Sequence, residues 1–392
     1  MRRVWLVVLL GSLSAFGPLS IDMYLPALPQ LSDDFHVGAS TVQLTLTACL
    51  AGLALGQLVA GPLSDRFGRR PPLLVGIALY VVSSLLCAVA PSAAALIGLR
   101  FVQGLGAAAG IAISRAIARD LYGGDALARF FSTLMLVNGT APILAPVIGA
   151  QLLRVTSWRG VFVVLAGIGA ALAVATAVGL RETLPPALRS EGGFATVRAT
   201  VTELVSDRAF LGYLVLLGLT FGAMFAYIAG SSFVVETIHH GSPQVFSAIF
   251  ALNGIGLVVA SQTNGFLLGR TSARRLLGAG VVASASGGFA LLAVVVAGIG
   301  LAGIVPALFV LVASLGFVFP NATALALADH PSVAGSASGL IGVFTFAVGA
   351  VAAPLVGVAG TDSAYPMAIV IAILGVASLV ALRRVKNVPE NA

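Results

Sequence analysis

The sequence predicts an all-α polytopic membrane protein of twelve transmembrane helices, arranged as two pseudo-symmetric six-helix bundles. Three observations predict it. Hydrophobic residues make up 59% of the 392 and charged residues only 9%, which is too little polar surface to cover a water-soluble globule of this length. The apolar stretches are long and continuous, so they read as helices and not as the ten-residue alternating strands of a barrel. A basic loop, Gly61-Pro62-Leu63-Ser64-Asp65-Arg66-Phe67-Gly68-Arg69-Arg70, returns in outline half a chain later as Gly265-Phe266-Leu267-Leu268-Gly269-Arg270-Thr271-Ser272-Ala273-Arg274-Arg275, as duplicated halves require.

Each span follows from where the apolar runs stop. Short arginine-rich loops stay in the cytoplasm, so the 61–70 loop, with Arg2 and Arg3 at the front, puts both termini on that side. Span 1 is expected from Val4 to Leu28 as an uncleaved helix, because no small-residue cleavage site follows it; a loop with Asp33, Asp34 and His36 comes next. Span 2 runs from Ser40 to Pro62, span 3 from Pro71 to Ala90 and span 4 from Ala93 to Ile117, before a charged turn over 119–129. Span 5 reaches Leu153 and span 6 ends near Leu180. Charges and prolines then gather between Arg181 and Arg208, which predicts a cytoplasmic linker over 181–208 between an N-terminal bundle, 1–180, and a C-terminal bundle, 209–392. Within it, Phe194–Ser206 is expected to lie on the inner surface as an amphipathic helix. Spans 7 to 12 are expected at 210–234, 245–268, 276–297, 301–327, 335–358 and 365–382. On this topology every arginine and the single lysine, Lys386, lies on or near the inner side, except Arg100, Arg154 and Arg159.

Composition excludes several function classes. The formal charge of +7 sits at helix ends as a topology signal, not on one face with aromatics, so no nucleic-acid partner is expected. Lys386 is misplaced for a phosphate loop, and no zinc-protease, C-x-x-C or G-x-S-x-G pattern occurs, so no enzyme and no metal site is expected. Cys49 and Cys87 lie in apolar runs and read as small buried hydrophobes. Gly104-Leu105-Gly106-Ala107-Ala108-Ala109-Gly110 imitates a dinucleotide fingerprint but lies mid-span, where it reads as a close helix-packing face.

Two charges fall inside the bilayer, Asp22 and Arg100, at similar depth about 10 Å from the outer surface. An intramembrane charge costs at least about 2.5 kcal/mol and marks function by default. Asp22 is therefore expected to alternate between a charged state held by Arg100 and a protonated one; the alternative is a permanent pair that glues spans 1 and 4. Asp65 is expected to latch onto the N-terminus of span 11, with Arg66, Gly68, Arg69 and Arg70 as the rest of the latch; the alternative is that it offsets Arg66 and Arg69 locally. Gly139, Pro142, Pro146 and Gly149 are expected to bend span 5, although tight packing also accounts for its small residues. The substrate cavity is expected to draw on Tyr24, Gln103, Asn138, Tyr227, Asn253, Phe317, Asn321 and Phe344, aromatic and amide groups suited to amphipathic molecules of varied shape.

These motifs resemble the major facilitator superfamily and, within it, the twelve-span drug:proton antiporters. The 61–70 loop looks like the signature between helices 2 and 3. Arg100-Phe101-Val102-Gln103-Gly104 looks like R-x-x-Q-G of helix 4, and Ala145-Pro146-Val147-Ile148-Gly149-Ala150 is similar to the antiporter signature G-P-x-x-G-G, with alanine for two glycines. Ser20-Ile21-Asp22-Met23-Tyr24-Leu25-Pro26-Ala27-Leu28-Pro29, with Arg115-Ala116-Ile117-Ala118-Arg119-Asp120, resembles the Bcr/CflA bicyclomycin/chloramphenicol-resistance subfamily. The resemblance implies an exporter in the bacterial inner membrane; a monomer without a cofactor is expected. Inward flow of the coupling ion, H+, would expel small drugs by alternating access, with Asp22 as the proton-linked acid and Arg100 as its partner. A transporter of one metabolite and a non-transporting membrane receptor are the alternatives.

Overall fold

The computed structural model describes residues 2–122, 140–189, 201–330, 333–358, 360 and 363–386. Among them all regular structure is helical: α1 (Arg2–Ser14), α2 (Phe16–Asp22), α3 (Leu28–Phe35), α4 (Ala39–Phe67), α5 (Arg70–Ala88), α6 (Ala93–Leu121), α7 (Thr140–Leu152), α8 (Trp158–Gly179), α9 (Arg208–Ser232), α10 (Pro243–Leu267), α11 (Ala273–Val296), α12 (Leu301–Leu327), α13 (Ala334–Leu355) and α14 (Tyr365–Lys386). Ten are long and apolar enough to cross a membrane, α1 with its bent continuation makes an eleventh, and α7 is a shorter apolar helix. The chain divides into two compact units, 1–37 with 44–196, and 38–43 with 197–392.

Helix starts are set by local chemistry. Ser92, Ser242 and Ser272 accept from the N–H groups of Ala95, Val245 and Arg275, each satisfying a donor that the first turn leaves free. Asp207 does the same for α9 through the Ala209 N–H at 2.7 Å. Partial burial raises this carboxyl, but the Ala209 N–H and then His330 outweigh it and hold Asp207 below the usual carboxylate range.

Span 1 departs from the expected single helix. It breaks at Ala15 with a 45° bend, passes through a 3-10 turn at Leu25–Ala27 and continues as α3. Proline explains it: Pro18 has no N–H for the Ser14 carbonyl, and Pro26 has none for that of Asp22. The stretch expected to loop around Asp33 and Asp34 is thus helix, ending at His36 with φ 52°. Its residues hold the start of α8: Gln30 accepts from the Trp158 N–H at 3.1 Å, and Asp34 from the Trp158 indole at 2.7 Å. Span 4 continues to Leu121, through the start of the expected charged turn. Span 7 runs beyond Val234 as a π-helical turn, Phe233–Ile238. The surface helix expected over 194–206 lies outside the described residues up to 200; 201–206 is helical.

The glycine-rich face of α6 packs as expected, backbone against backbone. A Cβ on Gly104 would lie 2.2 Å from the Cys49 carbonyl oxygen of α4, one on Gly106 2.7 Å from that of Gly76 in α5, and one on Gly110 2.7 Å from that of Leu13 in α1. Small residues let membrane helices approach this closely, where apolar side chains gain little over lipid. Both cysteines are buried and free. The second unit repeats the device: Gly316 of α12 meets the Leu257 carbonyl oxygen of α10 at 2.6 Å in the same sense. Four residues before each glycine the halves differ, with Arg100 in one and Val312 in the other.

Candidate functional site

Asp22 closes α2 at the break in span 1 and is 5% exposed. Among the described residues its carboxylate makes no hydrogen bond and no ion pair, so the expected pairing with Arg100 is not formed. Arg100, fully buried on α6, brackets Asp22 without touching it: its Nη2 donates to the Ser20 carbonyl at 2.9 Å, and its guanidinium lies 5.1 Å from the Tyr24 ring centroid. The guanidinium also lies 5.5 Å from the Phe162 ring, and Nη1 donates to Gln103 Oε1. Every partner is neutral, and Nε is buried with none. Cation–π contacts, worth more when water is excluded, replace the anion that a buried guanidinium would otherwise need.

Around this centre the polar groups of the first unit form one chain. Gln103 Nε2 donates to Ser84 Oγ at 2.7 Å, Ser20 Oγ meets the Tyr80 hydroxyl at 2.8 Å, and the Tyr24 hydroxyl meets Thr45 Oγ1 at 3.2 Å. Gln103 and Tyr24, expected to line a cavity, are thus spent holding α6, α5 and α4 around Arg100. Span 5 closes the site. A Cβ on Gly149 of α7 would lie 2.0 Å from the Met23 carbonyl oxygen, next to Asp22. Pro146, buried on α7, has no N–H for the Pro142 carbonyl. Asn138 and Gly139 lie outside the described residues.

In the second unit the remaining cavity candidates are engaged internally. Asn253 donates to the Tyr227 hydroxyl at 3.0 Å, and Tyr227 stacks on Phe250 with centroids 5.5 Å apart. Asn321 donates to Asn264 at 2.6 Å. Phe317 packs where a Cβ on Gly280 would stand, and Phe344 where one on Gly218 would. The sequence reading missed Glu236, because it ended span 7 two residues earlier. Its carboxylate sits in the π turn, and Oε1 is buried with no partner. π-helical turns recur at functional sites, and the available signal was a lone acid between Val235 and Ile238.

The 61–70 loop is an ion-pair centre built on Arg69. Its guanidinium binds Asp65 one turn earlier, Ser64 Oγ at 2.9 Å and, at 2.8 Å, Asp120 at the end of α6. Glu182, just past α8, accepts from the N–H groups of Arg69 at 2.7 Å and Arg70 at 3.1 Å. Partial burial raises Glu182, but the N–H groups of Leu184, Arg69, Arg70 and Thr183 outweigh it and hold it below the usual carboxylate range. The tie is therefore intact at neutral pH and weakens only as pH falls through that lowered range. Gly68 has φ 91°, and a Cβ there would lie 2.6 Å from Glu182 Oε2. Arg66 lies over the Phe67 ring at 5.3 Å. Asp65 therefore has the local arginine partner given as the alternative to a latch, and Asp120 and Glu182 are members that the sequence reading did not name.

The loop gives a graded prediction. Arg69 is 8% exposed, against 15% for Asp120 and 50% for Asp65. Breaking a fully buried pair costs about 3–5 kcal/mol and an exposed one about 0–1. Arg69→Ala is expected to cost about 1–3 kcal/mol, between those limits, and Asp65→Ala about 0–1. Thermal unfolding of the purified variants checks the order, and equal losses would refute it.

Two six-helix halves repeating one packing device, with a broken first span beside a buried arginine, are matched by the comparison with known families: residues 9–354 fit the Major Facilitator Superfamily model. The chain belongs to the major facilitator superfamily. It is a multi-pass membrane transporter and not an enzyme. It is 40% identical, over 93% of its length and 91% of the relative's, to a Bacillus subtilis protein named Uncharacterized MFS-type transporter YdgK. It is 31% identical to the bicyclomycin resistance protein homolog of Haemophilus influenzae, over 92% and 91%. It is 30% identical to multidrug resistance protein MdtL of Klebsiella pneumoniae, over 66% of each chain. Among solved structures it shares the fold of the nucleoside transporter NupG, with a TM-score of 0.80 at 12% identity over 98% of this chain and 100% of that one. A D-xylose-proton symporter matches with a TM-score of 0.75 at 16% identity, over 99% and 98%.

Proposed function

We propose that this transporter is a proton-coupled exporter of small amphipathic drugs, working by alternating access as a monomer in a bacterial inner membrane with both termini in the cytoplasm. The observation that carries the coupling is the unpaired, buried Asp22 beside an Arg100 whose partners are all neutral. A carboxylate in a dry site is costly unless a proton or a cation accompanies it. The geometry leaves two ways to meet that need, a proton on Asp22 or a turn of Arg100 from the Ser20 carbonyl to Asp22. Exchange between them is a proton step linked to movement of α2 against α6. Asp65 and the loop around Arg69 would act as the conformational latch, and Glu236, in the second unit, is a second acid that would carry a proton if Asp22 does not.

Drugs as cargo are supported by the relatives named for bicyclomycin and multidrug resistance. Loose recognition fits the internal engagement of Tyr227 and Asn321, which takes two of the expected polar groups away from singling out one metabolite. The driving force suffices: one inward proton supplies about 2.3 kcal/mol per 100 mV, enough to hold a neutral drug at about fiftyfold excess outside. The test is uphill drug transport in everted vesicles energised by a proton gradient. An uncoupler is expected to collapse the gradient of drug to equality; transport that persists in its presence would rule the proton out.

A further inference from the structure

The second unit carries a groove of about 580 Å³ that the transport reading does not use. It runs between α9 and α14 and is lined by Leu211, Val215, Leu219, Ala377 and Val380, with Arg208 and Arg384 also in its wall. The close approach of Gly212 to Val385, where a Cβ would meet the Val385 side chain at 2.6 Å, fixes the register of the two helices. It places the start of α9 opposite the end of α14, so both arginines stand at the same end of the groove. From Arg208 to Leu219 is about 16 Å of helix, roughly half of a bilayer's ~30 Å hydrocarbon core and so the depth of one leaflet.

We propose that this groove is a binding site for one anionic phospholipid, with its phosphate at Arg208 and Arg384 and an acyl chain along Leu211, Val215 and Val380. Charge complementarity selects this occupant over ordinary lipid. Both arginines are exposed, and among the described residues neither has an ion-pair partner. The nearby carboxylate, Asp207, is turned to the Ala209 N–H and to His330 at 2.8 Å. Arg274 adds a third cation at this end, donating to the Val385 carbonyl at 3.0 Å. Leu211 and Val380 are 37% and 47% exposed at the mouth, open to an acyl chain arriving from the side. Basic pockets between membrane helices recognise anionic headgroups in this manner. The site stands whether or not the chain exports drugs.

The test uses the purified full chain in detergent with phosphatidylglycerol or phosphatidylcholine of the same acyl chains, read by native mass spectrometry and thermal unfolding. Wild type is expected to retain phosphatidylglycerol selectively and to be stabilised by it. The double variant Arg208→Gln with Arg384→Gln should lose about thirtyfold in affinity for it. Ala377→Trp, which fills the groove and keeps both arginines, should lose retention as well. Arg383→Gln, an exposed neighbour outside the groove, should retain the lipid. Equal retention of the two lipids by wild type, or an Arg383→Gln loss matching that of the double variant, overturns the site in favour of unspecific surface charge.

Discussion

Asp22→Asn is expected to abolish uphill drug transport while leaving drug binding and thermal stability close to those of wild type. The substitution keeps size and polarity but removes the carboxyl at the break in span 1, the group there that can gain and lose a proton most readily. A proton carrier and structural glue predict opposite results here. If Asp22 merely joined α2 to α6, its loss would leave Arg100 buried without its anion, a defect of about 3–5 kcal/mol. The structure already shows Arg100 held by Ser20, Gln103, Tyr24 and Phe162 and not by Asp22, so removing the charge on Asp22 breaks no contact. A drug gradient of about fiftyfold at 100 mV should fall to equality, and downhill drug movement should continue. Efflux and binding measured on the same preparation decide it. If Asp22→Asn still pumps uphill in an uncoupler-sensitive way, the proton is carried elsewhere. Glu236→Gln, which changes a second acid whose Oε1 is buried without a partner among the described residues, is then the variant expected to fail.

How much of this was legible follows from which forces act within one helix. Hydropathy and punctuation placed the spans well, and Leu301–Leu327 is observed as expected, because burying backbone polar groups in lipid forces a helix wherever an apolar run is long enough. The stripe Gly104–Gly110 was also legible, since a run of small residues mid-span has little use except close contact. What could not be read is how each helix is turned about its axis. Helices apolar on all sides carry almost no amphipathic signal, so Arg100 and Asp22 could be assigned the same depth but not the same direction. Asp120 and Glu182 join Arg69 from the ends of two other helices, a coincidence of tertiary structure that spacing does not encode. The break in span 1 lies between these cases: Pro18 and Pro26 were visible, yet the surrounding residues are as apolar as those of an unbroken helix.

Gly149→Val is expected to disable transport through that same break. A Cβ at this position stands 2.0 Å from the Met23 carbonyl oxygen, and the obstacle is backbone that cannot rotate away. Overpacking typically costs about 1–3 kcal/mol, which for a chain of 392 residues corresponds to a fall of about 1–4 °C in the unfolding midpoint. To fit the side chain, α7 must retreat or Met23 must move, and Met23 is the residue after Asp22. Gly167→Val on α8, where a Cβ would meet nothing within 4 Å, serves as the matched control and should transport and unfold as wild type does. Gly149→Val behaving like that control would show that the contact is slack. The expected loss instead ties the two readings of span 5 together. Its small residues serve close packing, and what they pack against at Gly149 is the backbone next to the buried acid, so on the proposed mechanism the motif would act by positioning Asp22.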